Sequence, residues 1–275
     1  GGAYGLADDP VDMGSGGGAS SVAGGRGGGR VVIDAAGQIT VDGAIEADGQ
    51  AGSTSGSDHA SGGGAGGTVQ ITAQALVGAG VISANGGAFG NSSNADGGGG
   101  GGGRILLTVP AIAAEVQARG GNSVSQYAGA GTIYESLSKA LSCDNGGNVP
   151  NGPTPLLDPT IEVDLTQVGG ECRLEVPAGI TFGAKTIDVL AGGKLRLGGT
   201  ATAGNVTVFD QGQLSPIAGA ADFNLTVSGL LDIQAGGRVH ADGLGSPAST
   251  GDGPGGDGGY RVGAGGGAQG CNGGN

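Results

Sequence analysis

The sequence predicts an all-β fold: a right-handed parallel β-helix, or β-solenoid, with glycine-rich excursions bundled on one side. Three observations predict it. Compact apolar runs recur at regular spacing, a short motif follows them in several copies, and 70 of the 275 residues are glycine, gathered in tracts between the runs.

Such a glycine content, with 10 prolines, would by itself suggest a disordered low-complexity chain. Disordered segments are poor in β-branched residues, whereas here the tracts alternate with Val31-Val32-Ile33, Val69-Gln70-Ile71 and Arg104-Ile105-Leu106-Leu107. The strand starts Val31, Val69 and Ile105 lie 38 and 36 residues apart, a spacing typical of repeat architectures. After the strands comes an apolar residue, then Ala two positions on, then Gly. The copies are Ile45-Glu46-Ala47-Asp48-Gly49, Ile82-Ser83-Ala84-Asn85-Gly86, Val116-Gln117-Ala118-Arg119-Gly120 and Val239-His240-Ala241-Asp242-Gly243.

The second half has a tighter period. Ile187, Val206 and Leu225 are 19 residues apart, and Leu195, Leu214 and Ile233 keep the same interval. Stacking at about 4.8 Å would turn these residues into continuous apolar ladders that no single repeat could bury alone. Helix is disfavoured by the glycines, and Ser136 to Leu141 is expected to make at most one helical turn. The expected organisation is glycine-rich repeats over 1–142, a Pro-rich joint over 143–172, regular coils over 173–243, and a glycine-rich segment over 244–275.

The tracts Gly24 to Arg30, Gly62 to Thr68, and Gly97, Gly98, Gly99, Gly100, Gly101, Gly102 and Gly103 have no side chains to bury. One outcome is mobile loops; the ordered one is left-handed polyglycine II, whose strands hold no internal hydrogen bonds and must bond to neighbouring strands.

Composition narrows the function classes. The net charge of −13 argues against nucleic acid or an anionic membrane as partner. No run of 18 apolar residues predicts a membrane span, and the opening Gly1-Gly2-Ala3-Tyr4 lacks signal-peptide character, so an exported chain is expected in mature or excised form. The chain has no Gly-x-Ser-x-Gly elbow, Walker sequence or His-Glu-x-x-His, and His59 and His240 sit in a loop and in a variable motif position. Asp34, Asp42 and Asp48, or Asp8, Asp9 and Asp12, could cluster as in carbohydrate-active enzymes, but solvated turn carboxylates are the expectation, and no enzyme is predicted. Calcium is the one cofactor the carboxylates suggest, although Asp252-Gly253-Pro254-Gly255-Gly256-Asp257 is only an isolated echo of a calcium-binding repeat. Cys143 and Cys172 flank the Pro-rich segment and could staple it, for roughly 3 kcal/mol; buried free thiols are the alternative. Cys271 is left free or available to a neighbouring chain.

Gly37 to Gly49, Thr68 to Gly87 and Gly97 to Leu107, with the opening Ala3-Tyr4-Gly5, Asp9-Pro10 and Gly14 to Gly18, resemble repeats of very large glycine-rich bacterial surface proteins of adhesin-like, β-helical type. The resemblance implies extracellular scaffolding or adhesion. It also implies that a segment like Gly237 to Gly267 runs into one like Gly1 to Gly18, so the chain is expected to be either one period of a longer polypeptide or a subunit that stacks end to end, and both give a fibre. Gly1, Gly2, Tyr4, Cys271, Gly274 and Asn275 are then the assembly residues. The alternative is an adhesin that binds glycans or a solid surface.

Overall fold

In the computed structural model, which describes residues 3–94, 96–123, 127–220 and 223–244, every regular element among the described residues is a β-strand. Most pairings are parallel. The main sheet begins with β1 (Arg30–Asp34), β6 (Thr68–Thr72), β9 (Arg104–Thr108) and β11 (Thr132–Glu135), and continues through β12 (Ala140–Asp144), β14 (Thr160–Gly169), β16 (Thr181–Val189), β18 (Thr200–Val208) and β20 (Asn224–Val227); β21 (Leu231–Ile233) pairs with β18. A second sheet joins β3 (Ala44–Glu46), β8 (Val81–Ser83) and β10 (Glu115–Gln117). A third joins β13 (Thr154–Pro155), β15 (Arg173–Val176), β17 (Lys194–Leu197), β19 (Gln213–Pro216) and β22 (Arg238–Val239). β2 (Gln38–Thr40) pairs with β7 (Ala75–Val77), and β4 (Thr54–Ser55) forms a small antiparallel pair with β5 (His59–Ala60).

The registers match the repeat spacing. Val31 lies opposite Val69 and Val69 opposite Ile105, while the motif residues Ile45, Ile82 and Val116 pair across the second sheet. Ile187 pairs with Val206 and Leu195 with Leu214, as the 19-residue period predicts. The next rung departs from it: Val206 faces Leu231, Val208 faces Ile233 and Leu214 faces Val239, with Leu225 opposite Ala201 instead. The cause is a break at Ser228 to Leu230, where the Asn205 carboxamide oxygen accepts the Leu230 N–H and splits one long strand into β20 and β21. The fourth motif copy, at Val239, therefore lies in the third sheet rather than beside the other three.

Ser136 to Lys139 form a hairpin turn rather than a helical one, with Lys139 in the left-handed region at φ 47°. β11 and β12 are antiparallel, so every main-sheet strand after the turn runs opposite to those before it. The core changes sides with them. Val69, Ile71, Ile105 and Leu107 bury one face of the sheet, with Ile133 packed against that cluster. Tyr134 points the other way, and because it pairs with Leu141, the interior of the second half (Leu141, Cys143, Val168, Ile187, Val189, Val206 and Val208) forms on the opposite face.

Candidate functional site: a hydrogen-bonded glycine layer and its groove

Between the strands, the glycine tracts lie side by side and bond to one another at every third residue. Tract 61–67 shows the pattern. Gly64 and Gly67 donate to Gln50 and Ala47, Gly63 and Gly66 to Gly98 and Gly101, and Gly62 and Ala65 to Gly18 and Ser15. Its carbonyls in turn accept from Gly25 and Gly28 on one neighbour and from Gly87 and Gly90 on another. An extended strand with threefold repeat has three bonding directions, so one tract can serve several neighbours at once.

All seven residues from Gly97 to Gly103 are placed in this layer. Gly97, Gly100 and Gly103 donate to Gly90, Gly87 and Ala84, and Gly102 to Gly129. Packing leaves no space for side chains at many of these sites: a Cβ on Gly100 would lie 1.9 Å from the Gly64 carbonyl oxygen, and one on Gly64 2.0 Å from that of Arg26. Glycine is required here by close approach of backbones.

The N-terminal segment is the outermost member of the layer. Gly14 and Gly17 donate to Gly28 and Gly25, the Thr68 hydroxyl donates to the Asp12 carbonyl, and the exposed Tyr4 hydroxyl donates to the Met13 carbonyl. Next to it, a groove of about 910 Å³ runs along tract 97–103, walled by Tyr4, Met13, Tyr127, Arg104 and Thr154.

A buried polar cluster anchors this segment to the Pro-rich region. Asp158 is 1% exposed and its Oδ1 accepts the N–H groups of Ala7 (2.9 Å) and Asp8 (3.3 Å). Oδ2 receives no N–H donor, which leaves it for a proton shared with the Asp8 carboxyl. Burial, then hydrogen bonding to Asp158, raises the Asp8 carboxyl to about 6, since two carboxyls bond only by sharing a proton. Arg104, also buried, donates to the Thr132 hydroxyl (3.1 Å) and the Pro155 carbonyl (3.3 Å); burial disfavours its charge and nearby Asp158 favours it. The sequence separation of 150 between Asp8 and Asp158 leaves no sequence signal for this cluster.

Cys143 and Cys172 form a disulfide with Cα atoms 5.8 Å apart, tying β12 to the turn before β15. The carboxylates Asp34, Asp42 and Asp48 are exposed, and among the described residues no three His, Cys, Asp or Glu side chains converge on a point that could hold a metal ion. Gly1, Gly2, Cys271, Gly274, Asn275 and the Asp252 to Asp257 stretch lie outside the described residues.

The last described rung is uncovered. Leu231, Ile233 and Val239 are 46%, 47% and 39% exposed, although their ladder partners Val206, Val208 and Leu214 are at most 1% exposed. At the other limit, β1, β2 and β3 are edge strands, with Val31, Ile33, Ile39 and Ile45 half-buried. No family model, curated protein or solved structure matches the chain.

Proposed function

We propose that the chain is a structural subunit, or one period, of an extracellular fibre: a β-solenoid that stacks end to end, flanked by a layer of polyglycine II strands. The carrying observation is the uncovered rung. Three ladders run through the second half and, among the described residues, end at Leu231, Ile233 and Val239 with their side chains about half in solvent, beside backbone edges that can template another strand. The disulfide is compatible with an oxidising, extracellular setting. The glycine layer adds a stiff flank whose bonds are backbone to backbone.

Negative-stain microscopy and sedimentation of the purified chain test this reading. Filaments are expected for the wild type, and Leu231→Asp with Ile233→Asp should abolish them while leaving the melting midpoint near that of the parent, because both side chains are already half in solvent. A wild type that stays monomeric at high concentration would sink the proposal.

A further inference from the structure

Tracts 61–67 and 97–103 hold equivalent places in the glycine layer. Gly64 and Gly67 donate to Gln50 and Ala47 just as Gly100 and Gly103 donate to Gly87 and Ala84, and Gly66 donates to Gly101 as Gly102 does to Gly129. The remaining direction of tract 61–67 is filled by the N-terminal segment, since Gly62 and Ala65 donate to Gly18 and Ser15. Their counterparts are Gly98 and Gly101, and among the described residues these two N–H groups have no backbone acceptor.

The acceptor side is equally vacant. The N-terminal segment donates back to the carbonyls of Gly25 and Gly28; the counterparts of those two are Gly63 and Gly66, whose carbonyls accept no backbone bond among the described residues. A Cβ on Gly98 would meet nothing within 4 Å, and one on Gly101 only the Gly129 carbonyl oxygen at 3.8 Å. The groove along tract 97–103 thus presents two donors on one wall and two acceptors on the other, at the spacing already used once by residues 14–18.

We infer that this groove is an unfilled strand position that binds an extended glycine-rich segment of a second copy, antiparallel to Gly97–Gly103. The occupied position states the sequence rule. Cβ atoms on Gly14 and Gly17 would lie 2.3 Å from the Ala65 and 2.1 Å from the Gly62 carbonyl oxygens, whereas Gly18 has open space. Glycine is thus needed at every third residue. Gly14-Ser15-Gly16-Gly17-Gly18-Ala19 has a close match in Gly263-Ala264-Gly265-Gly266-Gly267-Ala268, with glycine at both restricted places. Assigning the segment to a second copy rests on the end-to-end reading. In that reading the first half of a following copy adjoins the end at which β20 and β21 lie.

The test is Gly98→Leu with Gly101→Leu in the full chain, whose Cβ atoms clash with no described atom and whose side chains are directed at the groove. A labelled peptide with the sequence of residues 261–270 is titrated against both proteins, alongside sedimentation and thermal melts. Expected are peptide binding to the wild type, at least about tenfold weaker binding to the variant, and equal melting midpoints. Equal peptide binding by the two proteins, or none by either, overturns the inference even if filaments form. A wild type that binds the peptide at this groove yet never forms filaments removes the end-to-end reading and leaves the strand position standing. If the variant melts lower and the wild type refuses the peptide, the chain's own terminus fills the groove, and the second-copy assignment is wrong.

Discussion

Gly100→Ala and Gly98→Ala are two residues apart in one glycine run, yet only the first should destabilise the fold. An alanine Cβ at position 100 would sit 1.9 Å from the Gly64 oxygen and 2.4 Å from its carbonyl carbon, so tracts 61–67 and 97–103 must part by more than about 1 Å to restore ordinary contact. The same tracts are joined by Gly63 to Gly98 at 2.9 Å and Gly66 to Gly101 at 2.8 Å, and that shift takes both beyond hydrogen-bond range. Two lost bonds at about 1 kcal/mol each, with about 1–3 kcal/mol of overpacking and about 0.5 kcal/mol returned by the stiffer unfolded chain, give a net loss of about 3 kcal/mol. For a chain of this size that lowers the melting midpoint by about 9 °C. Gly98→Ala meets nothing within 4 Å and should be neutral or raise stability by up to about 1 kcal/mol. Calorimetry or urea denaturation of the two variants separates them. Equal midpoints, or a larger loss at position 98, would refute the packed glycine layer.

Replacing Cys143 and Cys172 with Ser opens a loop of sequence separation 29 and should cost about 3.5 kcal/mol, read as a lower urea midpoint that dithiothreitol reproduces in the wild type. Because the folded Asp8 carboxyl titrates at about 6 against 3.8 unfolded, the folded state holds that proton more tightly. Its contribution is complete below about pH 3.8 and disappears as pH rises through about 6, and thermal melts across that window should lose the step in Asp8→Asn, whose amide donates to Asp158 at every pH. Lys139→Gly should stabilise the hairpin by up to about 1 kcal/mol, since Lys139 holds a left-handed φ of 47° that glycine adopts without strain; a lower midpoint in the same melts counts against it.

The parts of the fold legible in the sequence are those where identical residue types stack on themselves. The pairing of Val31 with Val69 and Ile105, and of Ile187 with Val206, follows from spacing because a parallel ladder sets equivalent residues side by side. The rung at Leu231 was misplaced because the break at Gly229 depends on one carboxamide, Asn205, that carries no periodic signal. Reversal at Ser136 to Lys139 is equally local: a four-residue polar turn has the composition of either a hairpin or a helical turn, and only the pairing of Tyr134 with Leu141 decides. The glycine run from 97 to 103 announced a need for backbone partners, but it took the positions of Gly87, Gly63 and Gly129 to name them. Asp158, Asp8 and Arg104 meet only after the chain has closed on itself.

That reversal has a consequence for any stack of these chains. Within one chain, β1 and β21 run in opposite directions and carry their interiors on opposite faces of the same sheet. A copy added by simple translation would set β1 antiparallel to β21, with its apolar side facing outward where the previous interior ends. Only a half-turn about the stacking axis lays Val31 and Ile33 over Leu231 and Ile233 with strands parallel. Such a stack is a two-fold screw with a true repeat of two chains. Successive glycine layers then fall on alternate flanks, so a bend imposed by one layer is cancelled by the next and the assembly runs straight.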